Sequence, residues 1–225
     1  MADGNLIFEL LPNATRILDV GSPGAHWWSA VLPTTQVLAL DLYRGLLQMP
    51  GPNFTFRRFD VHWLQRAARP NAFPAFKWYL GQSLHGQFDL IVMDHLLEHV
   101  ARPEEVIAGA FLASKPGGKV HIGVPDATHF TDRFYHLALT DGGGHVYRFT
   151  KESLITMMEA AGWKLLVVEP WADDWIWFDN GFNPKLYGNK MLRKEDIAAM
   201  AAIFRKELTA EKGYLYGWEY VFEKP

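Results

Sequence analysis

The chain has no cysteine among its 225 residues. Disulfides, thiolate metal sites and cysteine nucleophiles are excluded together. No run of about 18 apolar residues occurs, so no transmembrane helix is expected. The opening segment, MADGNLIFELLPN, lacks a basic n-region and a long apolar core. No secretory signal is expected there, and the cytoplasm is the expected location. A net charge of −3 offers no basic field, so neither nucleic acid nor an anionic membrane surface is an expected partner. Internal repeats and low-complexity stretches are also missing. What is present, 49% hydrophobic and 21% charged residues, suits one large globular domain with room for an elaborate insertion.

Arg16–Gly24, RILDVGSPG, organises the rest. Ile17, Leu18 and Val20 form a short apolar run between turn signals, the pattern of a buried parallel strand. The turn behind it holds Gly21, Ser22, Pro23 and Gly24, and glycine lets backbone approach a ligand closely. Asp19, one residue before the strand end, is expected to face the sheet mouth, where open α/β sheets bind ligands. An ordinary tight βα turn explains the same residues, because an isolated glycine motif is weak evidence.

Short helices are expected at Gly4–Leu11 and His26–Leu32, and a second buried strand at Gln36–Asp41. Phe54–Asp60 reads as a third strand, at an edge because of Arg57–Arg58. Val61–Gly86 is long and irregular, with one helix near Leu64–Ala68. Phe88–Asp94 is a fourth strand, and Arg102–Glu105 opens a helix ended by Pro116–Gly118. Lys119–Val124 is a fifth strand. Thr150 caps a helix reaching Gly162, with Leu154, Met157, Met158 and Ala161 on one face. Lys164–Glu169 is a sixth strand. An aromatic-rich insertion at about 171–213, with a helix at Glu195–Leu208, precedes a last strand at Tyr214–Lys224. Strands alternating with helices imply βαβ units and a parallel sheet.

RILDVGSPG, VLALD, GQFDLIVMDHLLEHV and LASKPGGKVHIGVPD, in that order, resemble class I S-adenosylmethionine-dependent methyltransferases, nearest to the ubiquinone-type and other small-molecule group. HVYRFTKESLITMMEAAGWKLLVVEP extends the likeness over its last helix and sixth strand. The resemblance implies a Rossmann-like α/β fold: a seven-stranded, mostly parallel sheet, an antiparallel last strand and helices on both faces. It also implies S-adenosylmethionine as cofactor and methyl transfer to a small molecule, at oxygen ahead of nitrogen or carbon. By the same resemblance Asp19, Gly21, Ser22 and Gly24 lie at the cofactor's amino-acid end. Asp41, with Leu42, takes the ribose hydroxyls, a role an ionised carboxylate suits. Asp60 and Val61 lie near the adenine amino group, and Asp94 and His95 next to the sulfonium. The turn departs from the family: Pro23 and Ala25 stand where glycine is usual. A methyltransferase-like domain that binds without catalysis is therefore the rival reading.

His95, Glu98 and His99 spell His-x-x-Glu-His, the letters of an inverted zincin helix. Some ubiquinone-pathway relatives hold a cation with Glu-x-x-Glu-His here, but His95 replaces the first Glu, and no metal is expected. Asp126, His129, Asp132, His136 and His145 crowd the segment after the fifth strand, where the acceptor is expected. His145 follows Asp141 and three glycines that would let a loop close over substrate, and it is the first candidate base, with His95 second. Trp171, Trp175, Trp177, Phe178, Phe182 and Tyr187 read as core, or as a lid stacking on a sugar or aromatic acceptor.

Overall fold

The computed structural model describes residues 6–21, 26–42, 51–126, 146–172 and 215–225. The apolar runs form a seven-stranded sheet: β1 (Arg16–Val20), β2 (Gln36–Asp41), β3 (Phe54–Arg58), β4 (Phe88–Asp94), β5 (Ser114–Pro125), β6 (Lys164–Ala172) and β7 (Leu215–Glu223). Their order is β3-β2-β1-β4-β5-β7-β6. Neighbours from β3 to β5 are parallel, and β7 runs antiparallel to both β5 and β6. The expected fold class is thus observed. β1 pairs with both β2 and β4, so the winding reverses there, and such a reversal opens a crevice at the carboxyl ends of the strands.

Successive strand side chains point to opposite faces, so β1, β2 and β4 each feed two cores. Leu18, Leu38, Ile91 and Val120 pack against buried residues of α2 (Leu64–Ala67), α4 (Pro103–Ala113) and α5 (Lys151–Ala160). Ile17, Val37, Leu90 and Val92 pack with Ile7 of α1 (Leu6–Leu10) and with Trp27 and Trp28 of the 3-10 turn His26–Ala30. Thr150 caps α5 as expected, through a reciprocal pair in which the Ser153 N–H donates to Thr150 Oγ1 at 3.1 Å and the Thr150 N–H to Ser153 Oγ at 2.9 Å.

Four expectations change. His26–Leu32 forms only the 3-10 turn, and the third strand stops at Arg58, before Asp60. A further helix, α3 (Pro74–Leu80), lies in the stretch read as irregular. The fifth strand begins at Ser114, ahead of the Pro116–Gly118 breaker, because Gly117 takes φ +71 and the β4–β5 register shifts between Phe88 and Leu90. The Gly117 N–H donates to Lys224 O at 2.8 Å and the Lys224 N–H to Gly118 O at 2.9 Å, so the bulged segment stays paired. The 195–208 helix lies outside the described residues.

One carboxylate ties the amino ends of β1, β4 and β5. Asp89 Oδ2 accepts from the N–H groups of Thr15 (3.0 Å) and Arg16 (2.8 Å) and from the Thr15 hydroxyl, and Lys115 Nζ donates to Oδ1 at 2.6 Å. Burial works against the charge, but Lys115, Thr15 and the two backbone donors outweigh it and bring Asp89 from 3.8 down to about 2. A lowered carboxyl stabilises the fold above its unfolded value and loses that contribution as pH falls through the folded one. Asp89→Asn should therefore cost about 2 kcal/mol at pH 7. In denaturant melts the gap from wild type should narrow as pH falls from about 4 to 2. A gap independent of pH would show that the charge contributes nothing.

Candidate active site

Three strand ends meet at the crevice. Beyond β1, Gly21 turns with φ +76, and its N–H donates to Leu40 O at 2.8 Å. A β-carbon on Gly21 would collide with the Leu96 side chain, so the turns after β1 and β4 pack directly on each other. β4 ends on Asp94, whose register partner on β5 is Gly123. A β-carbon on Gly123 would strike Asp94 Oδ1, so this glycine lets the carboxylate lie across β5. His95 follows with φ +50, a left-handed conformation that is costly for a residue with a side chain, and its N–H donates to Gly123 O at 3.0 Å.

That turn presents His95 to Glu98. His95 Nδ1 stands 3.1 Å from Glu98 Oε1; the imidazole is 33% exposed, whereas Glu98 is 1% exposed. An ionised carboxylate only accepts, so Nδ1 carries the proton of the neutral ring and Nε2 is its basic nitrogen. Burial disfavours the imidazolium. The Glu98 hydrogen bond and the charges of Glu98, Asp94 and Glu219 outweigh burial, so His95 titrates above its ordinary value. Glu219 of β7 is the register partner of Gly123 and is itself buried. It accepts from the Leu6 N–H at 3.2 Å and lies 3.4 Å from His121 Nε2.

The zincin letters do not form a zincin helix. His95 is left-handed and Leu97–His99 is a 3-10 turn, with His99 Nε2 3.9 Å from Glu98 Oε1. Among the described residues no three His, Asp or Glu side chains are arranged to hold a metal ion.

The remaining acids spread along the crevice. Asp41 closes β2 and is half-buried, with Leu42 exposed beyond it. Asp60 caps the turn Val61–Trp63: its Oδ1 accepts from the His62 N–H at 3.0 Å and pairs with His62 Nδ1 at 2.8 Å. Its other oxygen makes no hydrogen bond among the described residues. Burial opposes the charge, but His62 and Arg102 hold the Asp60 carboxyl below its usual range. A cleft of about 370 Å³ opens here between Asp60, Trp63 and Arg102. Val61 is buried beneath.

Asp19 is more enclosed than expected: it is 1% exposed, and one carboxylate oxygen accepts from Trp28 Nε1 at 2.6 Å. Ser22, Gly24, His129, Asp132, His136 and His145 lie outside the described residues, as do the side chains of the 171–187 aromatics. Asp126 is buried and accepts from Trp218 Nε1. The residues just after His145 are placed: the N–H groups of Val146 (2.7 Å) and Tyr147 (3.0 Å) both donate to Glu98 O. The segment that carries the first candidate base is therefore tied at its end to the turn that carries the second. Glu98 as a partner of His95, and Glu219 as a source of field, were not read from the sequence. The i, i+3 spacing of His95 and Glu98 was the available signal for the first.

A family model described as a methyltransferase domain matches residues 2–168. No curated protein matches the chain in sequence. Among solved structures it is similar to an S-adenosylmethionine-dependent methyltransferase from Archaeoglobus fulgidus, at 14% identity and a TM-score of 0.63 over 97% of this chain and 90% of that one. It is similar to the N-methyltransferase NodS of Bradyrhizobium japonicum WM9, solved with S-adenosylhomocysteine, at 11% identity and 0.57 over 98% and 84%. A third likeness is to an S-adenosylmethionine-dependent methyltransferase of Methanosarcina mazei, at 12% and 0.58 over 100% and 99%. At such identities the likeness is one of fold.

The two glycines should respond differently to the same substitution. Gly21→Ala meets both a positive φ and Leu96, and should cost about 1–3 kcal/mol in a denaturant melt. Gly123→Ala meets only the end of the Asp94 side chain, which can swing aside, so stability should change little while Asp94 leaves its place. Equal losses in both variants would contradict this account of the two positions.

Proposed function

By family and by sheet topology the chain belongs to the class I S-adenosylmethionine-dependent methyltransferases, and we propose that it methylates a small acceptor at oxygen, with His95 as the base. The residues at the crevice fit the donor. Gly21 brings backbone to the β1/β4 reversal without a β-carbon. Asp41 offers a half-buried carboxylate for two ribose hydroxyls, and the Asp60 oxygen that makes no hydrogen bond among the described residues would accept from the adenine amino group. Asp94 brings negative charge to the end of β4.

S-adenosylmethionine supplies a methyl group already activated on a positive sulfur. What is left to the protein is to align the acceptor, exclude water and take up a proton. The observation that carries the reading is the His95–Glu98 couple at 3.1 Å. A hydroxyl must lose its proton as the new bond forms, and an imidazole held in one tautomer by a buried carboxylate is suited to receive it at Nε2. A neutral amine can attack with its lone pair and needs such a group less, which is why oxygen is favoured.

His95 works as a base only when neutral. Because its titration lies above the ordinary 6.5, turnover should rise with pH through that raised value. Glu98→Gln removes the charge that raises it, so the midpoint of the limb should move to lower pH while the plateau falls. His95→Ala should lower turnover on the order of 10²–10⁴-fold with donor affinity nearly unchanged. A pH profile identical in wild type and Glu98→Gln, both folded by thermal melting, would overturn the assignment.

A further inference from the structure

The whole-chain charge of −3 conceals a segregated surface. Between Leu42 and Phe88 the sequence holds one acid, Asp60, against Arg44, Arg57, Arg58, Arg66, Arg69 and Lys77. No Asp or Glu occurs from Val61 to Phe88. Among the described residues, Arg57, Arg58, Arg66, Arg69 and Lys77 pair with no carboxylate. The same stretch carries apolar rings in water: Phe73 is 76% exposed and Trp78 is 85% exposed, with Trp63 and Tyr79 each more than two-fifths exposed.

Arg57, Arg58, Trp63, Arg66 and α3 adjoin one another beside the edge strand β3, and the nearby Glu105 is paired with Arg102. Arg57 Nε donates to Tyr79 O at 3.1 Å, and the Tyr79 hydroxyl donates to Arg58 O, which bind α3 to the strand. The Trp63 ring lies 6.3 Å from that of Phe76, and the Arg66 guanidinium stacks 4.7 Å over Trp63. Phe76 and Leu80 turn inward, so at helical spacing Trp78 stands on the opposite, outward side of α3, flanked by Lys77 and Tyr79.

We propose that this face docks the protein on an anionic phospholipid surface, with Phe73 and Trp78 entering the headgroup region and the Arg and Lys side chains meeting lipid phosphates. Aromatic rings with a polar or cationic neighbour are favoured at that boundary, where one end is apolar and the other wet. Basic residues near an anionic leaflet add attraction that salt screens. The shape favours a bilayer over a nucleic acid. Phe73 at the N-cap and Trp78 on the outer side of the seven-residue α3 stand in solvent, whereas a single strand needs a concave cationic track with stacking platforms. Such docking would place the Asp60 end of the crevice near the membrane, because Asp60 lines one cleft with Trp63 and Arg66.

The test is co-sedimentation of the full chain with vesicles of phosphatidylcholine alone, and with about one-third phosphatidylserine. Binding should appear with the anionic vesicles only and should weaken as salt rises. Phe73→Ala/Trp78→Ala and, separately, Arg69→Glu/Lys77→Glu should each reduce partitioning on the order of tenfold. Both pairs are exposed, so thermal melting should be unchanged. Wild type that stays in solution with anionic vesicles, or variants that bind as wild type does, would overturn the proposal. So would a gel shift of single-stranded nucleic acid, or a dimer broken by the ring substitutions, in a protein that ignores vesicles.

Discussion

The crevice depends on two places where backbone comes too close to a neighbouring segment for a β-carbon to fit. At Gly21 the neighbour is Leu96, and at Gly123 it is the Asp94 carboxylate. The first locks the turn after β1 onto the turn after β4. The second lays an acid across β5 and leaves Gly123 O to receive the His95 N–H. With these contacts made, the Leu96 and Asp94 side chains fill the space beside the two glycines before any ligand arrives. Such preorganisation is the main way a fixed scaffold lowers the cost of charge development.

Charge at this end of the sheet is arranged as carefully as space. Glu98 and Glu219 are buried acids, a costly state unless each has a partner. Glu98 has His95, and Glu219 has the Leu6 N–H and His121 close by. Asp94 adds a third carboxylate within reach of His95. The resulting field favours positive charge, which suits both a sulfonium donor and an imidazolium formed by taking a proton. Asp19, by contrast, acts through Trp28: its buried hydrogen bond fixes the turn His26–Ala30 against β1.

Strands were the most legible part of the sequence. Gln36–Asp41 and Phe88–Asp94 have the bounds read from their apolar runs, because turn residues precede each run and an acid closes it. α3 escaped because seven residues bury only Leu80 fully and half-bury Phe76, too few to show a helical period. β5 began early because a glycine bulge keeps Pro116–Gly118 in the sheet, where composition alone reads a stop. At the site, the acids at the strand ends could be listed from position, but their surroundings could not. How far Asp19 is enclosed depends on where Trp28 folds back. The field on His95 includes Glu219, which lies 124 positions along the chain and reaches it through strand pairing alone. The basic, aromatic face was hidden by averaging charge over the whole chain.

We propose that the donor lies across the ends of β1, β2 and β4. Titration calorimetry with S-adenosylhomocysteine, on wild type and on Asp41→Ala, decides this. Wild type should bind, and the variant should lose about 1.5–3 kcal/mol, the range for hydrogen bonds to a charged group, with the melting temperature of the free protein nearly unchanged. No heat from wild type at millimolar ligand, or equal affinity in the two proteins, would contradict it.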